Sequence, residues 1–92
     1  MKKINLAITG CMGRMGSQII KSAKKDHNFK ITALTESKKI NKKINGIAID
    51  LNTHKVFKKV DLIIDFTIPK CTFEILKIAL KLKKRVVIGT TG

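Results

Sequence analysis

The stretch Ile4-Asn5-Leu6-Ala7-Ile8-Thr9-Gly10-Cys11-Met12-Gly13-Arg14-Met15-Gly16 decides how the rest of the chain is read. Ile4 to Thr9 is a short apolar run that stops at a glycine cluster, which predicts a buried strand. A helix is expected from about Arg14 to Lys25. Met15, Ile19 and Ala23 recur at i, i+4 and i+8 with Ile20 beside them, while Ser17, Gln18, Lys21, Lys24 and Lys25 take the other side. The glycines therefore fall where a strand turns into a helix. Such a turn needs backbone freedom and a close approach of the main chain, and glycine supplies both. Unpaired N–H groups at the helix start would then face a phosphate. The spacing is G-x-x-G-x-x-G rather than the commoner G-x-G-x-x-G. An ordinary tight turn is the alternative reading of these residues.

Outward from this stretch, short apolar runs alternate with longer amphipathic ones. Asp26-His27-Asn28 ends the first helix, and Lys30 to Thr35 is a second strand carrying Ile31, Ala33 and Leu34. Ser37 to Asn45 is lysine-rich and expected as loop. Gly46 to Leu51 is expected as a short edge segment, and Thr53 to Lys59 as one helical turn or two. Val60 to Phe66 is the next clear strand. Pro69 suits the first turn of a helix, where its missing N–H is not needed. That helix should reach about Lys84. It is apolar at Phe73, Leu76, Ala79 and Leu80, and also at Ile75, Ile78 and Leu82, an arc wide enough to imply burial between neighbours. Arg85 to Ile88 is a fourth strand, followed by Gly89-Thr90-Thr91-Gly92. Strands alternating with helices indicate right-handed crossovers and a parallel sheet. The expected fold class is α/β: a Rossmann-type parallel sheet with flanking helices, about half of a doubly wound fold, as one domain over residues 1–92.

Composition narrows the function. A chain of 92 residues makes one small domain, and 43% hydrophobic residues are enough to cover one sheet with helices. The formal charge of +14 raises the idea of nucleic acid. Against it, Arg14 and Arg85 are the only arginines, the lysines are spread along the chain, and Trp and Tyr are absent. Arginine-based phosphate recognition and aromatic stacking are thus poorly served, and the lysines read as solvated charge with no nucleic-acid partner. Cys11 and Cys71 are too few for a disulfide framework, and their spacing matches no zinc pattern. They fit a reducing compartment as buried or half-buried side chains. Met1 to Cys11 superficially resembles a lipoprotein signal, but its apolar run is interrupted by Asn5 and is shorter than the roughly 7–15 residues such a signal needs. No stretch approaches the roughly 18 apolar residues of a membrane span. A soluble, cytoplasmic protein without a membrane partner or a metal is expected.

Function is carried by four segments. Beyond the glycine turn, Glu36 lies at the end of the second strand, about 20 residues after Gly16, where an acidic side chain accepts hydrogen bonds from an adenosine ribose. A solvated loop carboxylate is the alternative. Asp65-Phe66-Thr67 and Gly89 to Gly92 each follow a strand. The latter could be a plain turn, and Asp65 a strand-end carboxylate capping nearby N–H groups, with no catalytic role. All four segments fall at carboxyl ends of parallel strands, the edge of an open α/β sheet where ligands bind.

Gly10-Cys11-Met12-Gly13-Arg14-Met15-Gly16, then Glu36, then Asp65-Phe66-Thr67 with Pro69, then Gly89-Thr90-Thr91-Gly92 resemble the N-terminal domain of the 4-hydroxy-tetrahydrodipicolinate (dihydrodipicolinate) reductase family. The resemblance spans the chain. It implies reduction of a cyclic dicarboxylate, 4-hydroxy-tetrahydrodipicolinate, to tetrahydrodipicolinate with NADH or NADPH, in the diaminopimelate route to lysine. It also implies that Gly10, Cys11, Met12, Gly13, Arg14 and Met15 cradle the pyrophosphate and that Glu36 holds the ribose. Phe66, Thr67, Gly89, Thr90 and Thr91 would line the nicotinamide side.

Some members of that family carry a basic residue directly after the acidic one. Here Ser37 stands there, followed by Lys38 and Lys39, which implies a preference for NADH with some use of NADPH. Met12 fills a position often held by a small residue, so its side chain must point away, or the loop must sit farther from the phosphates. The family's catalytic His and Lys, its substrate-carboxylate contacts and its tetramer-forming second domain lie downstream. His27 and His54 are expected to face solvent and not to replace them. The chain is therefore expected to be a truncated product, a gene remnant or a piece cut from a longer protein, inactive alone, with a tetramer only for the full-length protein. The alternative is a free-standing nucleotide- or CoA-binding module without catalysis.

Overall fold

A computed structural model describes residues 3–89. The elements are β1 (Ile4–Thr9), α1 (Arg14–Lys25), β2 (Phe29–Thr35), β3 (Lys43–Ile44), β4 (Ile47–Asp50), α2 (His54–Phe57), β5 (Leu62–Asp65), α3 (Pro69–Leu82) and β6 (Arg85–Ile88). They form a six-stranded sheet in the order β3-β4-β2-β1-β5-β6. All neighbours run parallel except β3 and β4. The Rossmann-type α/β expectation is therefore met, with β1 at the centre and helices on both faces.

The period-2 alternation of a strand sorts β1 between two cores. Leu6 and Ile8 pack with Cys11, Ile20, Ala23, Leu34 and Ile49 on the α1 face. Ala7 packs with Ala33, Val56, Phe57, Val60, Ile63, Ile75 and Ala79 on the face covered by α2 and α3. The second face continues to the carboxyl rim, where Thr35, Thr9 and Asp65 stand in register across three strands. All three are fully buried. Among the described residues no helix is long and apolar enough to cross a membrane.

The middle of the chain differs from the sequence expectation. Lys43–Ile44 is a strand, so Ile47–Asp50 is not the sheet edge; β3 pairs antiparallel outside it. The cause is the turn Asn45-Gly46, whose φ angles of 52° and 80° are both left-handed. Asn-Gly favours such a two-residue hairpin turn, because its twist matches that of the flanking strands and glycine meets no Cβ penalty at positive φ. The strand expected over Val60 to Phe66 is shorter, Leu62–Asp65, because Val60 closes the end of α2 by donating its N–H to the Phe57 carbonyl.

The helices also correct two burial expectations. In α1 the buried residues are Gly16, Ile20 and Ala23, whereas Met15 is 53% exposed. Met15 sits in the first turn, beyond the sheet rim, and lines a groove instead of the core. In α3, Thr72, Ile75 and Ala79 are buried, but Phe73 and Leu80 are 67% and 82% exposed. The helix packs between the sheet and α2 through Ile75, Ile78, Ala79 and Leu82, so burial between neighbours holds for that side, and the expected arc is too wide by Phe73 and Leu80.

The Thr35 hydroxyl is buried with no hydrogen-bond partner. Burying an unpaired hydroxyl costs roughly 1–3 kcal/mol on mutational scales. Thr35→Val should therefore raise stability by about 1 kcal/mol, read as a higher urea midpoint at unchanged m-value. A lower midpoint would show that the hydroxyl is satisfied.

Candidate functional site

At the end of β1 the chain turns through Gly10 with a φ of +67°. A Cβ there would lie 3.1 Å from the Phe66 carbonyl oxygen and 3.4 Å from Cγ2 of Thr67. Both the dihedral and the close approach call for glycine. The turn is then tied down amide by amide. Gly10 and Cys11 donate to the Thr35 carbonyl at 2.9 and 3.3 Å, and Gly13 donates back to Gly10 at 3.1 Å. Gly16 completes the packing, because a Cβ on it would collide with the Gly10 carbonyl and sit 2.9 Å from Cα of Cys11.

Met12 donates its N–H to the Glu36 carboxylate at 2.6 Å. Glu36 is itself fixed by its backbone N–H, which donates to the Asp50 carbonyl at 3.0 Å. The glycine turn and the acidic residue predicted from the sequence are thus directly bonded. The Met12 side chain is exposed.

The start of α1 faces outward. Gly13 is its N-cap and supplies no side-chain hydrogen bond, and no acidic residue stands in the first turn. The first N–H groups of a helix have no intrahelical partner, and together they present about half a positive charge. Arg14, exposed in that same turn, adds a full one. Like charges at a helix start are mutually unfavourable, and an anion seated there relieves both.

Two cavities meet over this turn. One, of about 410 Å³, is bounded by Gly10, Gly13, Arg14, Met15, Phe66 and Gly89. The other, of about 240 Å³, is bounded by Gly10, Gly13, Glu36, Ser37, Thr67 and Cys71. Gly10, Gly13, Phe66, Thr67 and Ile68 line both, so the two form one bent groove along the carboxyl rim. The Phe66 ring occupies the space beside Gly89 where a side chain would stand. The structure brings together Gly10, Gly13, Arg14, Met15, Glu36, Phe66, Thr67 and Gly89. Cys11 lies beneath the turn, fully buried. Thr90 and Thr91 lie outside the described residues. His27 and His54 are exposed and away from this groove. Among the described residues no cluster of three His, Cys, Asp or Glu could hold a metal ion.

Sequence reasoning read Asp65 only as a cap, and its role is larger. It is fully buried at the end of β5. Its Oδ1 accepts from the Thr9 hydroxyl at 2.6 Å, the Thr67 hydroxyl at 2.6 Å and the Thr67 N–H at 3.0 Å. Its Oδ2 accepts from the Thr72 hydroxyl at 2.5 Å. Burial by itself would push the carboxyl up, but the bonds from Thr67, Thr72 and Thr9 outweigh it and hold the group below the usual carboxylate range. The signal was present as threonines at the end of β1, just after β5 and in the first turn of α3; the β5–α3 connection brings Thr67 and Thr72 to the carboxylate, and the register of β1 on β5 adds Thr9.

A family model described as "Dihydrodipicolinate reductase, N-terminus" matches residues 4–92. The chain belongs to the dihydrodipicolinate reductase family. It is 72% identical over 92 residues to the 4-hydroxy-tetrahydrodipicolinate reductase of Pelagibacter ubique (strain HTCC1062), covering 100% of this chain and 36% of that protein. The reductase of Buchnera aphidicola subsp. Schizaphis graminum (strain Sg) is 39% identical over 105 residues, covering 99% and 38%. The chain thus spans little more than a third of the length of these curated relatives. Among solved structures, a dipicolinate-bound dihydrodipicolinate reductase from Paenisporosarcina sp. TG-14 superposes with a TM-score of 0.84 at 27% identity, covering 99% of this chain and 38% of that one. In this family of oxidoreductases the matched part is the N-terminal one, the part that carries the groove.

Two outcomes follow from the buried groups. Because Asp65 is depressed in the folded state, its contribution to stability is present above its unfolded pKa, near 4. It is lost as pH falls through the lower folded value. Stability of the parent chain should drop as pH falls below about 4, and the drop should be shallower in Asp65→Asn. Equal slopes in pH-dependent urea melts would refute the assignment. Burial first, and then the neighbouring Glu36 carboxylate, push the Cys11 thiol up to about 11. Alkylation near pH 8 should therefore modify the half-buried Cys71 first and spare Cys11 until the chain unfolds, as read by peptide mass mapping.

Proposed function

We propose that this chain is the cofactor-binding part of a 4-hydroxy-tetrahydrodipicolinate reductase and that its rim groove holds NADH or NADPH. The observation that carries this reading is the convergence of the glycine turn, the uncapped start of α1, Glu36 and the Phe66-Thr67 loop on one rim of the sheet. A dinucleotide has a diphosphate between two ribosides, and the groove offers a matching sequence of surfaces. The helix start and Arg14 suit the diphosphate. Glu36 suits the adenosine ribose. Phe66, Thr67 and Gly89 suit the nicotinamide half, with Thr90 and Thr91 beyond the described residues. The bound cofactor would supply the hydride for an imine-like bond of a cyclic dicarboxylate, while the protein orients the ring. The dicarboxylate ligand of the Paenisporosarcina protein supports that substrate class. Substrate contacts, the proton-donating groups and tetramer formation are assigned to the part of the family that this chain does not match. Lysine biosynthesis and a cytoplasmic location follow from the same reading.

The Glu36–Met12 bond favours NADH. It keeps the carboxylate at the rim, where a ribose hydroxyl can donate to it but a 2′-phosphate would meet a like charge. Lys38 and Lys39 are exposed nearby and moderate that repulsion. Fluorescence titration of the chain should give a lower Kd for NADH than for NADPH and no turnover. A tenfold or greater preference for NADPH would overturn the preference for NADH. CoA binding without dinucleotide binding would favour a nucleotide module of another kind. Glu36→Ala should weaken NADH about tenfold or more, the value of one charge-assisted hydrogen bond of roughly 1.5–3 kcal/mol.

A further inference from the structure

We infer that Asp65 is a positioning residue for the cofactor groove, acting through Thr67 and anchored by Thr9 and Thr72. This rests on the cofactor reading of the groove and adds the group that shapes it. Asp65 has no exposed surface and borders neither half of the groove, so it does not touch a ligand directly.

Its carboxylate instead joins three separate pieces of chain. Thr9 is the last residue of β1, immediately before Gly10. Thr67 belongs to the loop between β5 and α3, and Asp65 holds it twice, by hydroxyl and by main-chain N–H. Thr72 is in the first full turn of α3 and also donates to the Ile68 carbonyl, at 3.3 Å. A simple strand-end cap needs one donor. Here the acceptors are filled by one amide and three hydroxyls drawn from β1, the loop and α3.

The geometry carries the consequence to the ligand side. Thr67 lines both halves of the groove. The Phe66 carbonyl and the Thr67 methyl form the wall against which Gly10 turns. Displacing the Phe66-Thr67 loop therefore moves the floor of the glycine turn and the nicotinamide-side wall together. Binding sites tolerate little such displacement, and they depend on supporting hydrogen bonds that lock the residues touching the ligand.

Thr72 provides the decisive variants, because it does not line the groove. Thr72→Val removes the donor to Oδ2 while keeping the shape, and Thr72→Ser keeps the donor. With fully folded protein, judged by circular dichroism at the titration temperature, Thr72→Val should raise the NADH Kd at least threefold and Asp65→Asn at least tenfold. Thr72→Ser should restore it to within twofold of the parent. In parallel, without cofactor, amide hydrogen exchange at Thr67 and Gly10 should speed up at least tenfold in Thr72→Val and Asp65→Asn but not in Thr72→Ser. Ile63 and Ile8 in the strand cores should change less. If Thr72→Val lowers the urea midpoint but leaves both the NADH Kd and the Thr67 exchange unchanged, Asp65 is only a stabilising contact and the inference fails. If the parent binds no dinucleotide, the cofactor reading fails by itself. The exchange data then still decide whether Asp65 holds the loop.

Discussion

The arrangement depends on the parallel pairing of β1 with a strand on each side. Thr9 is opposite Thr35 on β2 and opposite Asp65 on β5. Everything at the rim follows from this alignment. The Thr35 carbonyl receives the amides of Gly10 and Cys11, which starts the turn. Asp65 receives the hydroxyl of Thr9, which fixes the next loop beside it. A slip of one residue in either pairing would invert the faces of a strand. Leu6 and Ile8 would then exchange places with Ala7, and Asp65 would leave the cluster of hydroxyls that keeps it ionised in a buried place.

The rim also accounts for a polar row in a core that is otherwise apolar. Along the α2–α3 face, the residues below it are Ala33, Ala7 and Ile63. Above them come Thr35, Thr9 and Asp65, all fully buried. Burying a carboxylate is costly unless its lone pairs are filled. Three hydroxyls and one amide fill them, and no cationic side chain is hydrogen-bonded to it among the described residues. Neutral donors suit this position. A lysine or arginine paired to Asp65 would bring a long side chain into the space that Thr67 and Phe66 occupy.

Most of the architecture was legible because its periodicities are strong. β1 and β6 have the expected limits, and α1 runs from Arg14 to Lys25 as its spacing predicts. The glycine turn, Glu36 and Phe66-Thr67 were legible as neighbours on one rim for a different reason. Each follows a strand, and parallel strands share one carboxyl edge. What escaped needed information from elsewhere in the chain. Asn45-Gly46 is a hairpin signal, but the lysines around it masked a strand of two residues, Lys43–Ile44. Phe73 and Leu80 are apolar at helical spacing, yet apolarity alone does not say whether a neighbour exists to cover them. Met15 continued the periodic stripe of α1, but the stripe passed beyond the sheet before reaching it. The Asp65 cluster was only half legible: Thr67 and Thr72 lie two and seven residues along the same stretch, but Thr9 is brought to the carboxylate by strand register, which no local pattern encodes.

The two carboxylates of the rim are built for opposite tasks. Glu36 is partly exposed, with a single amide from Met12 on one oxygen and room for other donors. Its acceptors can be shared with a ligand at small cost, because water competes for the same positions. Asp65 is closed off, and its donors are all internal. Opening it would strand a buried charge and several hydroxyls together, which makes it rigid. A recognition group at the surface is useful only if the wall opposite it stays in place. The glycine turn that bonds to Glu36 on one side leans against the Phe66-Thr67 loop on the other. If the exposed acid holds a ribose as proposed, that recognition relies on the position that the buried acid enforces.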